Sequence, residues 1–267
     1  MSATQQVYFS QGNLQYQAST NTWRFAENQW DYVGTNNPIP GNPSGGTVNG
    51  SDNYYISPTY SGWIDLFGWG TSGYNHGAIC YQPWSISKNN SDYCAYGSST
   101  YNLYDQTCLA DWGSNTISNG DNQTNQWRTL TINEWEFVFN TRSTASGIRY
   151  AKAQVNNVNG VILLPDYWSS SYYTLSNTNK SGANFNINTI TAEQWIIIER
   201  HGAVFLPAAG HRVGTSVYVG FYCYYWSASC GASGIGAYGI YFNDDSLYTF
   251  GGDRKPGHSV RLVRDVQ

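Results

Sequence analysis

Apolar residues recur at helical spacing in the stretch "TINEWEFVFNTR", which begins at Thr131. Glu134 follows three residues later, at the spacing of a capping box, where each side chain bonds the other residue's backbone N–H. Trp135, Val138 and Phe139 then fall on one face of a helix. The pattern predicts a short helix that begins after Thr131 and buries this face.

The stretch "TAEQWIIIERHG" repeats the same signal further along the chain. Thr191 and Gln194 have the capping-box spacing. Trp195 and Ile198 fall on one helical face. Gly202 stands where helices commonly end, because glycine adopts the left-handed backbone conformation without a steric penalty. We therefore predict a second helix that stops at this glycine.

Short apolar stretches predict β-strands around the two helices. In "VYFSQGNLQYQ" and "TWRFAENQWDYVG", apolar and polar residues alternate between turn signals. The continuous apolar run of "NGVILLPDYW" predicts a buried strand that ends at Pro165. Further strand-like stretches follow the second helix, namely "AVFLPAAGHR", "YYWSAS", "AYGIYF" and "SVRLVRDV".

Long segments lack any such pattern. Residues 35–60 and 70–125 are rich in Gly, Asn, Ser and Pro, which predicts ordered surface loops, and the compact apolar stretch "SGWIDLFGWG" lies between them. No repeat or linker divides the chain, so residues 1–267 are predicted to form a single domain. Two helices, small antiparallel sheets and long ordered loops indicate the α+β class.

Composition narrows the range of partners. Charged residues make up only 11% of the chain, against about 25% in typical globular proteins, and the chain has 23 tyrosines. The net charge of -4 includes no basic stretch, which argues against a nucleic-acid partner. This composition is typical of a loop-rich protein that works outside the cell.

The sequence carries no signal for membrane insertion. The stretch "MSATQQVYFS" is polar and lacks the apolar core of a signal peptide. Apolar runs such as "GVILLP" are far shorter than a membrane span. We therefore expect either an exported form without its leader or a protein that reaches the outside as part of a virion.

The cysteines suggest free thiols rather than a disulfide framework. They are Cys80, Cys94, Cys108, Cys223 and Cys230. An odd number cannot pair completely within one chain, and no C-x-x-C spacing of a zinc or redox site occurs. We expect buried or incidental thiols.

Other signatures of catalysis or metal binding are scarce. The four histidines are scattered, and no H-E-x-x-H motif, nucleophile elbow or phosphate-binding glycine loop is present. Asn243, Asp244 and Asp245 offer oxygen ligands for calcium, although a solvated turn is the simpler explanation. Asp65 and Asp166 stand among apolar residues and are expected to cap turns. We predict no catalytic residue, no metal site and no cofactor.

Asparagine is unevenly distributed along the chain. It occurs 26 times in residues 1–200 and once, as Asn243, in residues 201–267. An even distribution would place about seven in the later segment. That segment is rich in the other turn residues Gly, Ser and Asp, so a lack of turns does not explain the depletion.

Six stretches together carry a family resemblance. They are "WIDLFGWG", "NEWEFVFNTR", "GVILLPDYW", "AVFLPAAGHR", "YWSAS" and "SVRLVRD". In this combination the chain resembles the variable proteins of diversity-generating retroelements. The resemblance is to the subgroup with the formylglycine-generating-enzyme type of C-type lectin fold, as found in gut bacteria and their phages. It runs from "VYFSQGNLQYQ" to "RLVRDV" and implies that fold for the whole domain.

The resemblance also implies a variable region over residues 214–264. In that family a reverse transcriptase misreads template adenines, chiefly in Asn codons, and the resulting codons cannot encode Gln, Glu, Met, Lys or Trp. From Gly214 to Val266 the chain has no Gln, Glu or Met. Only Trp226 and Lys255 fall outside the permitted set, and Trp226 belongs to the scaffold motif "YWSAS". The depletion of Asn is compatible with Asn positions that have been overwritten.

The resemblance divides this region into fixed and variable positions. The fixed frame is Tyr225, Trp226, Ser227, Ala228, Phe242, Ser259, Val260, Arg261, Leu262, Val263 and Arg264. Those expected to pack inward are Trp226, Phe242, Val260 and Leu262. The candidates for solvent-facing, ligand-binding variable positions are Ser216, Tyr218, Phe221, Cys223, Tyr224, Gly231, Gly234, Gly239, Asp244, Asp245, Ser246, Tyr248, Phe250, Gly251, Gly252, Asp253 and His258. A role as a core aromatic is the alternative for each Tyr or Phe, above all for Tyr224 and Phe250.

The function that the resemblance implies is ligand binding rather than catalysis. A monomer would present its diversified C-terminal face to a protein or glycan on a cell surface, from the bacterial cell surface or from a phage virion as a receptor-binding protein. Exposed Tyr and Phe provide large rigid contacts, and Ser, Gly and Asp provide adaptable polar ones, as in antibody paratopes.

Two alternatives stay open. A formylglycine-generating-type enzyme would use Cys223 and Cys230 as its cysteine pair, although the motif around that pair is not recognisable. A calcium-dependent carbohydrate-binding lectin would use "FND" at 242–244, which is weakly similar to the Trp-Asn-Asp calcium motif. The Glu-Pro-Asn or Gln-Pro-Asp partner of that motif is missing.

Overall fold

A computed structural model describes residues 6–34, 46–48, 52–232, 234 and 236–266. The described residues form two α-helices and five small sheets, which confirms the α+β class. None of their helices is both long enough and apolar enough to cross a membrane. Part of the predicted loop 35–60, namely 35–45 and 49–51, lies outside the described residues.

The regular elements are short. The strands are β1 (Val7–Phe9), β2 (Leu14–Gln17), β3 (Thr22–Phe25), β4 (Arg128–Thr129), β5 (Tyr150–Val155), β6 (Val158–Leu163), β7 (Thr189–Ile190), β8 (Val204–Pro207), β9 (His211–Val213), β10 (Ser216–Tyr218), β11 (Cys223–Cys230), β12 (Gly236–Phe242), β13 (Leu247–Asp253) and β14 (Leu262–Asp265). The helices are α1 (Ile132–Glu136), which continues as a π-helical turn over Phe137–Thr141, and α2 (Ala192–Arg200).

Both helices begin as their sequences predict. The Thr131 hydroxyl accepts a hydrogen bond from the Glu134 backbone N–H at 3.3 Å, and the Glu134 carboxylate accepts one from the Thr131 N–H at 2.8 Å. Thr191 and Gln194 form the same reciprocal pair at the start of α2. Gly202 follows α2 with a φ of +81°, so the predicted glycine stop is confirmed.

The predicted apolar faces of the helices are buried. Trp135 of α1 and Trp195 of α2 are at most 1% exposed. Trp195 packs against Phe205 of β8, with ring centroids 5.7 Å apart. The helices therefore supply large aromatic side chains to the core, as the spacing of their apolar residues predicts.

Strands that precede and follow α2 in the sequence form a four-stranded sheet in the order β7-β5-β6-β8. Asn156 and Asn157 have φ values of 48° and 64° and connect β5 to β6 as a two-residue hairpin. Of these two strands the sequence pattern predicts only β6. The pairing of β5 with β7 is parallel, so the expectation of purely antiparallel sheets is wrong at this position.

The first and last strands meet in one sheet. β1 pairs with β14, with Val7 opposite Asp265 and Phe9 opposite Val263. β4 pairs with the other edge of β14, with Leu262 opposite Thr129. The chain segments that precede and follow the two helices are thereby joined.

The long loops of residues 70–125 are ordered, but they are not confined to the surface. Tyr93, Leu103 and Trp112 are fully buried. The Leu103 backbone N–H donates to the Ala228 carbonyl at 2.9 Å, so the loop is bonded directly to β11. The expectation of surface loops is wrong in this respect, because the small sheets alone do not enclose the core and the loops complete it.

The four residues of the fixed frame that were predicted to pack inward are buried. Trp226, Phe242, Val260 and Leu262 have no exposed surface. The indole N–H of Trp226 donates to the Phe67 carbonyl at 2.7 Å. A buried polar group must find a partner to avoid a large desolvation cost, and this bond ties the segment to the apolar stretch at residues 61–70.

Candidate ligand-binding face

A row of three tyrosines crosses the sheet formed by β11, β12 and β13. Tyr224 of β11 is opposite Tyr241 of β12, which in turn is opposite Tyr248 of β13. Paired residues on neighbouring strands project to the same side of a sheet. The ring centroids are 4.8 Å apart for the first pair and 5.0 Å for the second.

The neighbouring row on the same side consists of Trp226, Gly239 and Phe250. The Trp226 and Phe250 rings meet across the glycine, with centroids 6.0 Å apart. A Cβ atom at Gly239 would lie 2.3 Å from the Tyr225 carbonyl oxygen and 2.8 Å from the Phe250 ring. Gly239 is therefore required by this packing.

Aromatic residues before β11 extend the tyrosine row. The Tyr222 ring stacks on Tyr241 at 6.3 Å and contacts Phe221 at 4.8 Å. Tyr218 of β10 stacks on His211 of β9 at 5.0 Å. We call the whole surface the aromatic face, which consists of Tyr218, Phe221, Tyr222, Tyr224, Tyr241, Tyr248 and Phe250.

Exposure varies across the aromatic face. Tyr248 is 52% exposed and Tyr222 is 36% exposed, whereas Tyr241 is nearly buried. Tyr224 and Phe250, for which a core role is the alternative, are half-buried. The outermost rings thus stand on a layer of partly buried rings, which restricts their motion.

Two histidines lie within and beneath this layer. His258 is 4% exposed, stacks on Tyr224 with ring centroids 4.6 Å apart, and contacts Trp226 at a tilt with centroids 4.2 Å apart. His211 contacts Tyr224 at 5.3 Å. Burial lowers the pKa of His211 to about 4 and lowers the pKa of His258 well below its usual value. Both imidazoles are therefore neutral at physiological pH and add no charge to the face.

Five of the predicted variable residues come together in the aromatic face. They are Tyr218, Phe221, Tyr224, Tyr248 and Phe250. Tyr222 and Tyr241 complete the face and His211 packs against it, although the sequence analysis did not select these three. Tyr222 and Tyr241 are of a residue type that the expected diversification would permit. Strand register places Tyr241 on this side of the sheet, and ring contact with Tyr241 places Tyr222 beside it.

The expectation of a solvent-facing position is wrong for Cys223, Gly231, Gly239 and His258, which are buried. Cys223 is opposite Phe242 on the inner side of the sheet, and its thiol donates to the Pro207 carbonyl at 3.0 Å. Burial raises the pKa of this thiol. A Cβ atom at Gly231 would lie 2.9 Å from the backbone of Gly236.

The polar candidates Asp244, Asp245 and Ser246 form the turn between β12 and β13. The Asn243 side-chain oxygen accepts hydrogen bonds from the backbone N–H groups of Asp245 at 3.0 Å and Ser246 at 2.8 Å. The Lys152 ammonium donates to the Asn243 carbonyl at 2.6 Å. The single Asn of the C-terminal segment thus stabilises a turn that β5 anchors.

This turn is the site of the calcium alternative. No three His, Cys, Asp or Glu side chains converge to hold a metal ion anywhere in the described part of the chain. Burial lowers the pKa of Lys152 to about 8, while Asp244 and Asp245 act in the opposite direction. The Lys152 ammonium therefore supplies positive charge near the Asp244 and Asp245 carboxylates, as a bound calcium ion would.

The remaining candidates lie at the edges of the sheet. Gly234 is in the turn between β11 and β12, and Gly251 and Gly252 are in β13. Asp253 ends β13, where it forms an ion pair with Lys255 at 3.0 Å and accepts a hydrogen bond from Asn90. Ser216 is exposed at the start of β10. These residues surround the aromatic face rather than form part of it.

All five cysteines are free thiols, as predicted. Cys223 and Cys230 stand at opposite ends of β11, which makes them roughly 20 Å apart along an extended strand. The Cys230 thiol donates to the Thr100 carbonyl at 3.1 Å. Two cysteines this far apart cannot act on each other without rebuilding the strand.

Comparisons with protein-family models, with curated proteins and with solved structures find no match to this chain. The aromatic face combines a large, rigid and uncharged aromatic surface with polar turns at its edges, which is an arrangement suited to recognition.

Proposed function

We propose that this chain is a ligand-binding protein whose C-terminal face is diversified by a retroelement, with the aromatic face as its contact surface. The observation that carries the proposal is that every residue of the aromatic face falls within the variable region, residues 214–264. Distant parts of the chain, including α1 with its π-helical turn and the loops of residues 70–125, supply much of the supporting core. Binding residues and scaffold are thereby largely separate.

The aromatic face is suited to a macromolecular ligand. A cavity of about 140 Å³ beside Tyr248 is well below the roughly 300 Å³ at which small-molecule sites begin. Tyr and Phe side chains contribute large contact areas at low entropic cost, and they are enriched at the centres of protein interfaces. We therefore infer a protein or a glycan on a cell surface as the ligand.

The C-type lectin fold is part of this proposal. Two capped helices, several small sheets and long ordered loops are the features that the resemblance implies, and the described residues have them. A monomer at the bacterial cell surface or in a phage virion is the setting in which such a face would meet its ligand.

The geometry favours binding over the two alternatives. A formylglycine-generating-type reaction would need Cys223 and Cys230 close together, whereas they lie at opposite ends of β11. A calcium-dependent lectin would need several oxygen ligands around the turn at 243–246, where the Lys152 ammonium lies instead. Neither alternative gives a role to the exposed aromatic rings.

The DNA that surrounds the gene tests the claim of diversification. We expect a reverse transcriptase gene nearby, together with a near-identical repeat that carries adenines in the codons for Tyr218, Tyr222, Tyr224 and Tyr248. The codons for Tyr225–Ala228 should be identical in the two repeats. If the genome holds no template repeat, the claim of diversification is wrong.

Binding itself is tested with labelled protein on a panel of intact bacterial species and on a glycan array. Tyr248→Ser should weaken any binding by about tenfold or more, because a central interface tyrosine often contributes over 1 kcal/mol. Tyr167→Ser is the matched control, since Tyr167 is similarly exposed, at 61%, and lies outside the variable region. Equal losses in both variants would contradict the assignment of the face.

A further inference from the structure

A concave surface distinct from the aromatic face lies outside the variable region. A cleft of about 500 Å³ opens between the β2–β3 hairpin and the long loops that follow residue 70. Tyr16 and Trp23 line it from the hairpin, and Gln82, Trp84 and Asn115 line it from the loops. Its volume falls within the range of roughly 300–1,000 Å³ that is typical of small-molecule sites.

One wall of this cleft is aromatic. The Tyr16 ring contacts Trp23, with ring centroids 4.5 Å apart. It also stacks on Trp84, with centroids 5.9 Å apart and an angle of 29° between the Tyr16 and Trp84 planes. No Asp, Glu, Lys, Arg or His is among the described residues that line the cleft. A charged ligand would therefore lose its hydration without gaining a counter-charge, so the cleft is suited to a neutral ligand.

Residues that line the cleft carry polar groups without a partner in the described part of the chain. The Asn115 amide nitrogen donates to the Ser72 and Trp112 carbonyls, at 2.9 and 3.1 Å, which leaves its oxygen to accept from a ligand. Trp23 is only 5% exposed, and its indole N–H has no acceptor among the described residues. The Gln82 side chain likewise forms no hydrogen bond within the described part of the chain.

We propose that this cleft binds one neutral saccharide unit, independently of the aromatic face. A pyranose ring has an apolar C–H side that packs on an aromatic ring, and hydroxyl groups that both donate and accept hydrogen bonds. The cleft offers both kinds of partner, namely indole and amide N–H donors and amide oxygen acceptors. A flat aromatic ligand fits less well, because insertion between Tyr16 and Trp84 requires about 7 Å, twice the contact distance of about 3.5 Å.

Saturation-transfer NMR and calorimetry with the full chain test this assignment. The probes are glucose, galactose, mannose, N-acetylglucosamine and their short neutral oligomers, with sialic acid and glucuronic acid as acidic comparisons. We expect at least one neutral probe to bind, with and without EDTA, and the acidic probes to bind at least tenfold more weakly.

Two variants locate the site. Trp84→Ala should weaken binding by up to about tenfold, because it removes one stacking surface. Gln82→Ala should weaken binding about three- to tenfold by removing hydrogen bonds, and it changes no core residue. Circular dichroism establishes that each variant is folded.

Tyr248→Ser is the control that distinguishes saccharide binding in the cleft from ligand binding at the aromatic face, because it alters the aromatic face alone. It should leave saccharide binding unchanged. The proposal is overturned if no neutral probe binds, if EDTA abolishes binding, or if Gln82→Ala and a folded Trp84→Ala both keep full affinity. Loss of saccharide binding in Tyr248→Ser would also overturn it, by assigning the sugar to the aromatic face.

Discussion

Some residues of the C-terminal segment are buried and required by the fold, whereas others only lie on its surface. Tyr225 is fully buried, and its hydroxyl lies 3.1 Å from both the Asn13 side-chain oxygen and the Pro207 carbonyl oxygen, which share its single hydrogen as acceptors. Its neighbour Tyr224 projects to the opposite side of the strand, where it joins the aromatic face. Two adjacent tyrosines therefore have different roles, because successive side chains of a strand alternate between its two sides.

Glycines in this segment should differ in the same way. Gly239→Ala should lower the free energy of unfolding by about 2 kcal/mol or more, because its Cβ atom would collide with the Tyr225 carbonyl and the Phe250 ring. At Gly252 the nearest atoms to a new Cβ atom are 3.5 Å away, so Gly252→Ala should change stability by less than about 1 kcal/mol. Urea denaturation measures both, and equal effects would contradict the structure.

Among the secondary-structure elements, the two helices depend most clearly on their own sequences. Each begins with a reciprocal capping box and then turns a tryptophan inward. The β11–β12–β13 sheet depends instead on distant partners. Arg254 follows β13 and donates to the Gly236 carbonyl at 2.9 Å and the Ser99 carbonyl at 2.6 Å, which ties the sheet to a loop far away in the sequence.

The capping box of α2 gives a direct test of local stabilisation. Thr191→Ala should lower the free energy of unfolding by about 1 kcal/mol, because the Gln194 backbone N–H loses its acceptor. Thr191→Ser keeps a hydroxyl oxygen at the same position and should retain most of the stability. Chemical denaturation of both variants provides the measurement, and an alanine variant as stable as the serine variant would contradict the role of the cap.

For the molecule as a whole, the structure separates a displayed surface from a core that joins distant segments. Trp226 belongs to the same buried cluster as Leu14, Trp69 and Trp112, which lie in three other parts of the chain. Tyr222 and Tyr248 lie at the outside of the aromatic face, where much of each side chain is exposed to solvent. Changes of sequence at such positions are compatible with an unchanged fold.

This separation predicts opposite effects of two variants on stability and binding. The double variant Tyr222→Ser with Tyr248→Ser should change the free energy of unfolding by about 1 kcal/mol or less while it weakens ligand binding. Trp226→Ala should cost about 3–5 kcal/mol, because it leaves a cavity in the core. Thermal and urea unfolding compare the two, and a double variant as unstable as Trp226→Ala would show that the face is part of the core.

The contribution of His211 to stability should fall in mild acid. Burial lowers the pKa of His211 to about 4 in the folded chain, against about 6.5 in an unfolded one, so below pH 6.5 the unfolded state binds the extra proton. This contribution is therefore fully present above pH 6.5 and decreases as the pH falls to 4, by up to roughly 3 kcal/mol. The groups that surround His211 are Tyr218, Tyr222, Tyr224, His258 and Arg212.

Two variants isolate this contribution. His211→Gln should lose less stability than the unmodified chain between pH 6.5 and 4, and His201→Gln is the control at a histidine outside the aromatic face. Asp65 contributes with the opposite sign, since burial raises its pKa to about 7 and its stability contribution decreases as the pH rises from 4 to 7. The Asp65 contribution is the same in each variant, so it cancels when the variants are compared. If the free energy of unfolding of His211→Gln changes with pH as steeply as that of the unmodified chain, the contribution assigned to His211 is refuted.

Much of the framework was predictable from sequence because it rests on short-range interactions. The capping boxes, the glycine stop at Gly202 and the inward faces of Trp135 and Trp195 each depend on residues a few positions apart. The inward packing of Trp226 and Phe242 was expected from the fixed frame that the resemblance implies. The resemblance also directed attention to residues 214–264, within which the whole aromatic face lies.

The composition of that face was decided by the tertiary structure alone. Which side of β11 faces outward depends on its pairing with β12, and a shift of one residue would exchange Cys223 and Tyr224. Tyr222 and Tyr241 meet, and His258 lies beneath Tyr224, through contacts between segments distant in sequence. The sequence by itself determined where single elements begin and which motif residues pack inward. Strand register and long-range packing determined which side chains form a common surface, because no local pattern encodes either.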